Sequence, residues 1–368
     1  MKIRNLIIPV FVLGFILSLL SLPCFAAQKK KQEEKAQESK PVFIPQEVKS
    51  VFEEGIKTRQ ARLDIPFTII KHLFLPAIEN MHSIFLFKVK NVDLGFYPIA
   101  PTPEIPEKKE KKEEEKEALP ESEIIPAKLQ SNSRIFLQFN KLEGNELGEV
   151  VKEIYIPFNF QVESGSYEPD KEELYTTAYT LPPGNYILSM AITSLNYEKI
   201  GTQYFEFSLP NPSSFTDNLD TTPLFIVQNV KRMDSAELKP EIHKDFFTWS
   251  VLQIRANLER SLSSGEIFEL FFYIFGVQTS EDGKYNIEVN YEVLKGEETA
   301  IRFSPPGIYD LPLVSQPLHL KKPMTIKSEE GERKETRDLE PGKYTLSIKI
   351  TDKISGKSVT KTIDFEVK

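Results

Sequence analysis

The segment Leu181-Pro182-Pro183-Gly184-Asn185-Tyr186-Ile187-Leu188-Ser189-Met190-Ala191-Ile192-Thr193 recurs 158 residues later as Leu339-Glu340-Pro341-Gly342-Lys343-Tyr344-Thr345-Leu346-Ser347-Ile348-Lys349-Ile350-Thr351. Carried without a gap to Leu209 and Val367, the copies share 11 of 29 positions, Phe207 and Phe365 among them. A copy at fixed offset marks a duplicated structural unit. The chain must therefore fold into something built at least twice.

Each copy reads as turn, strand, turn, strand. Pro fixes φ and Gly accepts the positive φ that closes a tight turn. After it, Tyr344, Leu346, Ile348 and Ile350 alternate with Thr345, Ser347, Lys349 and Thr351, and Tyr186 to Thr193 follow the same pattern. Period two with one wetter face is a half-buried antiparallel strand. Leu181, Pro183, Gly184 and Tyr186, with Leu339, Pro341, Gly342 and Tyr344, are read as structural positions, with both tyrosine rings buried.

The duplication extends upstream. Ile84 to Val89 is an apolar strand, Ile135, Leu137 and Phe139 alternate, and a turn at 143–146 leads to Ile154, Ile156, Phe158 and Phe160. In the C-terminal half, Ile267 to Phe275 is the apolar strand and Tyr285 to Val293 alternate strictly. A turn at 295–298 then leads to Ile301 and Phe303. No helical stripe is read anywhere. Short strands punctuated by Pro and Gly predict an all-β fold of two tandem immunoglobulin-like β-sandwich domains. The first spans 41–210 and the second 222–368, with 211–221 as linker.

Lys2 and Arg4 precede an apolar run from Leu6 to Leu22, and Cys24-Phe25-Ala26 fits a small-x-small cleavage site. Residues 1–26 are read as a signal peptide. Kept instead as an anchor, the run would be a short span interrupted by Pro9 and Ser18. The protein is therefore expected to be exported, to a periplasm or outside the cell, with no stable membrane span after cleavage. The only cysteine, Cys24, lies within that segment, so no disulfide or cysteine-based site is expected in the mature chain. Loss of Lys2 and Arg4 takes the formal charge from −8 to −10. That balance argues against a nucleic-acid partner.

Two tracts are too charged for any core. Residues 28–40 are rich in Lys, Glu and Gln, and Glu107 to Glu117 is charged at all 11 positions. Both are read as disordered, the second within an insert at 101–128 that enlarges a loop of the first sandwich.

The Leu-x-Pro-Gly-x-Tyr segment resembles the corner before the sixth strand of immunoglobulin-like and fibronectin type III sandwiches, which implies a tyrosine hydroxyl bonded back to the backbone. Arg255-Ala256-Asn257-Leu258, Ser264-Gly265-Glu266, Phe271-Phe272-Tyr273 and Leu339 to Tyr344 are similar to a β-rich module of exported bacterial proteins that carry a Gly-Trp-x-Thr-Asp motif. That namesake motif is absent here: the single tryptophan, Trp249, sits in Phe247-Thr248-Trp249-Ser250.

No catalytic residues, cofactor or metal site are assigned. His72, His82, His243 and His319 are scattered, without metal-ligand spacing. No nucleophile elbow, zinc-protease helix or phosphate loop is present. Asp217-Asn218-Leu219-Asp220 could offer oxygens to calcium, but the Asp-x-Asp-x-Asp-Gly loop is missing. The expected function is a non-enzymatic binding or scaffold protein of the bacterial cell envelope, engaging a protein partner through loops or edge strands. The alternative is a carbohydrate- or peptidoglycan-binding module with Tyr155, Tyr167 or Tyr175 as a stacking platform. A hydrolase with dispersed catalytic residues is a third reading.

Overall fold

The structure, a computed structural model, describes residues 44–99, 128–144, 146–216, 218–328 and 331–368. The signal-peptide segment, the 28–40 tract, residues 101–127 of the insert and Asp217 lie outside the described residues.

The N-terminal half supplies helix α1 (Gln46–Thr58) and strands β1 (Phe67–Ala77), β2 (Asn80–Lys90), β3 (Tyr97–Pro98), β4 (Lys128–Gln130), β5 (Ser133–Glu143), β6 (Glu146–Phe158), β7 (Gln161–Glu163), β8 (Glu172–Leu181), β9 (Gly184–Thr193) and β10 (Ile200–Leu209). Strand β10 ends this half. The C-terminal half supplies β11 (Asp220–Thr221), β12 (Phe225–Arg232), β13 (His243–Lys244), β14 (Phe247–Trp249), β15 (Leu252–Ala256), β16 (Ser261–Leu262), β17 (Ile267–Phe275), β18 (Ile287–Lys295), β19 (Glu298–Arg302), β20 (Gly307–Tyr309), β21 (Leu313–His319), β22 (Lys321–Ser328), β23 (Gly331–Asp338), β24 (Gly342–Asp352) and β25 (Ser358–Val367).

In the N-terminal half the sheet β10-β9-β5-β6 faces the sheet β1-β2-β8. Phe85, Phe87, Leu137, Phe139, Tyr175 and Leu188 fill the space between them. In the C-terminal half β25-β24-β18-β19 repeats the first order, and β21-β17-β12 repeats β8-β2-β1. The strands β3-β4-β7 form a small separate sheet, in which Tyr97 pairs with Gln130 at the base of the charged insert.

The repeated corner has the same geometry in both copies. Tyr186 lies opposite Phe207 and Tyr344 opposite Phe365, with rings stacked at 5.4 and 5.8 Å. Each hydroxyl donates to the carbonyl four residues back, Pro182 and Glu340, at 2.8 Å in both cases. Gly184 and Gly342 take φ of +151° and +150°, a conformation that penalises any side chain. The next turn also matches: the Ser194 N–H donates to the Lys199 carbonyl at 3.0 Å, and the Asp352 N–H to that of Lys357 at 2.9 Å. The copies differ at the corner's approach. Strand β8 runs directly into Leu181, whereas the β22–β23 hairpin is inserted between Leu320 and Leu339.

Helix α1 is a feature that the strand-based reading did not anticipate. Val48, Phe52 and Ile56 recur every fourth residue on the helix and are buried, which is a helical stripe, and the buried Ile44 just before the helix continues it. The stripe covers the outer face of the β5–β9 sheet at Phe136, Ala191 and Ile200. Gly55 permits the closest approach there: a Cβ would stand 1.9 Å from the Tyr204 hydroxyl, which donates to the Val51 carbonyl at 3.0 Å.

A further apolar layer joins the halves. Leu73, Leu75, Ile84 and Leu86 on the outer face of β1 and β2 pack with Phe225, Val227, Phe247, Ile254 and Phe271 of the β12–β17 sheet. Strand β13 extends β8, with His243 opposite Thr176 and Lys244 opposite Tyr175. Residues 211–221, read as linker, hold a 3-10 turn (Pro212–Thr216) and β11, which pairs with Ile274 and Phe275. Within Ile44–Lys368 the described residues thus form one compact unit.

The corner yields a graded prediction. Tyr344→Phe removes one partly buried hydrogen bond and should cost about 1 kcal/mol, while Tyr344→Ala leaves a cavity and should cost about 3–5 kcal/mol. Urea unfolding should show the same order at Tyr186. A Tyr→Ala variant with the wild-type midpoint would contradict a packing role for that ring.

Candidate functional site

The structural positions do not converge on one site. Tyr186 belongs to the core of the first sandwich and Tyr344 to that of the second. The aromatic platform does not assemble either. Tyr175 is 1% exposed and packs against Phe87, Phe158 and Phe160. Tyr155 is exposed but leans on Phe136 at 5.4 Å, and Tyr167 packs on Phe96 at 5.3 Å. A shallow cleft of about 490 Å³ lies over the outer face of β24 and β25, lined by Arg260, Lys343, Thr345, Asp364 and Glu366.

Three of the four histidines are held inside hydrogen-bonded or aromatic surroundings. His72 on β1 pairs its Nε2 with the buried Ser83 hydroxyl at 2.7 Å and packs against Phe85 and Phe207. Burial in this aromatic cage depresses its pKa to about 4, so the ring is neutral near pH 7. His319 is exposed on β21. The other two face the junction.

At that junction β2 and β8 meet β13, β14 and the 233–242 loop through a chain of polar contacts. His82 Nε2 donates to the Thr248 carbonyl at 2.9 Å, while Nδ1 meets the Thr180 hydroxyl at 3.3 Å. Because a carbonyl can only accept, Nε2 carries the proton. The Thr248 hydroxyl donates to Glu237 at 2.8 Å, and His243 Nε2 lies 3.0 Å from the same carboxylate. Burial alone would raise the Glu237 pKa, but the bonds from His243 and Thr248 outweigh it and hold the carboxyl below its usual range. Burial lowers the His82 pKa, against a smaller opposing effect of the Thr248 bond and of Glu237. Beside them the Trp249 Nε1–H donates to the Pro76 carbonyl at 2.9 Å.

These bonds fasten two loops to neighbouring residues, Thr248 and Trp249. One is the β1–β2 turn, whose tip Ile78 is 91% exposed; the other is the 233–242 loop, whose Leu238 is 93% exposed. Ile78 and Leu238 are thus large apolar side chains almost wholly in water, each on a loop held from beneath. Sequence reading missed them because they follow no period.

Two of the sheet edges, β6 and β19, are less suited to partner binding. Edge strand β6 carries register shifts opposite Phe139–Leu142 and has Pro157, which lacks an N–H. Strand β19 is short and its pairing slips at Val293–Leu294. Bulges, prolines and short strands blunt an edge against further pairing.

No group of three or more His, Cys, Asp or Glu side chains able to hold a metal occurs among the described residues. None of their helices is long and apolar enough to cross a membrane. No protein-family model matches the chain, and no curated protein matches it.

The His72 environment predicts an acid-sensitive stability. Its pKa is 6.5 as a free side chain and about 4 when folded, so the unfolded state binds the proton more tightly. The contribution is whole above pH 6.5 and is lost as the pH falls toward 4, by about 3 kcal/mol. His72→Gln should flatten this part of the stability profile measured by urea unfolding from pH 7 to 4. An unchanged profile would mean that the ring reaches water.

Proposed function

We propose that this is an exported, non-catalytic binding or scaffold protein of the bacterial cell envelope that holds a protein partner on its junction loops. The observation that carries the reading is the exposure of Ile78 and Leu238, each more than nine-tenths in water, on loops bonded to Trp249 and Thr248. Large apolar side chains in that setting lower the ordering cost of binding because the loops are already held in place. The blunted edges of β6 and β19 favour loops over edge strands as the contact. Export is supported by the charged head, apolar run and Ala26 of the N-terminal sequence. The order β1-β2-β8 against β10-β9-β5-β6, with its tyrosine corner, supports an immunoglobulin-like or fibronectin type III-like assignment for each sandwich.

The glycan-binding alternative has less support. It needs coplanar exposed rings, and Tyr175 is in the core.

Photo-crosslinking in the native cell tests the proposal. With benzoylphenylalanine at position 78 or 238, one defined protein adduct should form; at Thr360, on the exposed face of β25, it should not. Leu238→Ser should abolish the adduct formed from position 78 while changing stability by no more than about 0.5 kcal/mol, as expected for an exposed side chain. Absence of adducts at both loop positions, or equal labelling from Thr360, would exclude this surface.

A further inference from the structure

Strand β12 ends at Arg232 and β13 begins at His243, and the loop between them is fixed at both ends. The Met233 N–H donates to the Val251 carbonyl at 2.8 Å, and Ile242 is buried in the core of the first sandwich. From Asp234 to Glu241 the loop runs along the surface. Among the described residues, Glu237 is the one member of 234–241 that makes a hydrogen bond or ion pair. The exposed stretch is thus pinned at a single carboxyl, next to Leu238.

That carboxyl needs its charge. Thr248 Oγ1 on β14 donates to it at 2.8 Å, and His243 Nε2 on β13 lies 3.0 Å away. An ionised carboxylate only accepts, so it takes both bonds; a protonated one carries a donor of its own and loses the charge assistance. The other titratable group facing it is His82 of β2, whose Nε2 is committed to the Thr248 carbonyl at 2.9 Å. The next charges along β13 are paired elsewhere, Lys244 with Glu173 and Asp245 with Arg255, each at 3.1 Å. Burial raises the Glu237 pKa, but the bonds from His243 and Thr248 more than offset it and leave it below its ordinary 4.5. The contribution of those bonds is therefore whole above pH 4.5 and lost as the pH falls through the folded value. Thr248 itself stays in place without Glu237, because it is opposite Gln253 in the sheet and bonded to His82.

We propose that Glu237 is an acid-sensitive latch: its carboxylate holds the 233–242 loop and Leu238 in place at neutral pH, and its protonation frees them while the junction stays folded. A segment with so few anchors opens locally at little cost. Control of a bound partner by the latch rests on the role proposed for Leu238; the opening of the loop does not.

A nitroxide at position 239 reads the loop directly. Lys239→Cys in a Cys24→Ser background leaves one thiol in the chain. Its electron paramagnetic resonance spectrum should be restricted at pH 7 and become several-fold more mobile as the pH falls below 4.5, while Trp249 fluorescence and far-ultraviolet circular dichroism keep their native values. Glu237→Gln, which mimics the neutral acid, should give the mobile spectrum already at pH 7 and change no further in acid. Thr248→Val should fall between the two, since His243 still holds the carboxylate. With benzoylphenylalanine at position 238, Glu237→Gln should lose most of the partner adduct; adducts missing from wild type as well would count against the partner and not against the latch. A Glu237→Gln loop as restricted at pH 7 as that of wild type, or a wild-type loop that stays restricted until the fold itself melts in acid, would overturn the proposal.

Discussion

The rest of the structure depends on two inner sheets that are buried on both faces. Strand β2 sends Phe85 and Phe87 into the first sandwich and Ile84 and Leu86 outward against the C-terminal half. Strand β17 sends Phe268, Leu270 and Phe272 into the second sandwich and Phe271 back toward the first. A strand apolar on one face needs one cover; these two need two. Four sheets therefore stack with three apolar layers between them, and the junction layer turns a duplicated sandwich into one body. That continuity fixes the loops at the junction. The β1–β2 turn that carries Ile78 is bonded across the junction on both of its strands, through Pro76 and His82.

The duplicated hairpin and its corner were legible because their determinants are local: a Pro-Gly turn, period two, and a ring on the inner face. Other features depend on contacts that sequence spacing hides. The His82, Thr248 and Glu237 chain brings together residues as far as 166 positions apart. The junction core left a trace that was visible but incomplete. Runs such as Ile84 to Phe87 and Phe271-Phe272 lack a polar face, which shows that a strand is buried without saying what covers its second side. Helix α1 was legible in principle, since Val48, Phe52 and Ile56 mark one face, but the stripe is short and stands next to a charged tract.

The two copies have kept their interior geometry and diverged at their outer surfaces. Tyr186 and Tyr344 make the same bond at the same distance, whereas the outer face of one four-stranded sheet is capped by α1 and that of the other displays Thr345, Thr360 and Asp364. Packing constrains a ring between two sheets far more tightly than it constrains a loop, so functional difference accumulates in loops, faces and inserted hairpins.

Trp249, the single tryptophan, bonds across the junction to Pro76 and packs edge-on against Phe271, so its fluorescence reports on the contact that unites the halves. Urea unfolding followed by that fluorescence and by far-ultraviolet circular dichroism tests the central claim directly. If the junction is a true core, the two signals change together with one midpoint and one slope. A tryptophan transition completed at lower urea than the loss of β-structure would show that the halves part before they unfold, and the single-body account would be wrong.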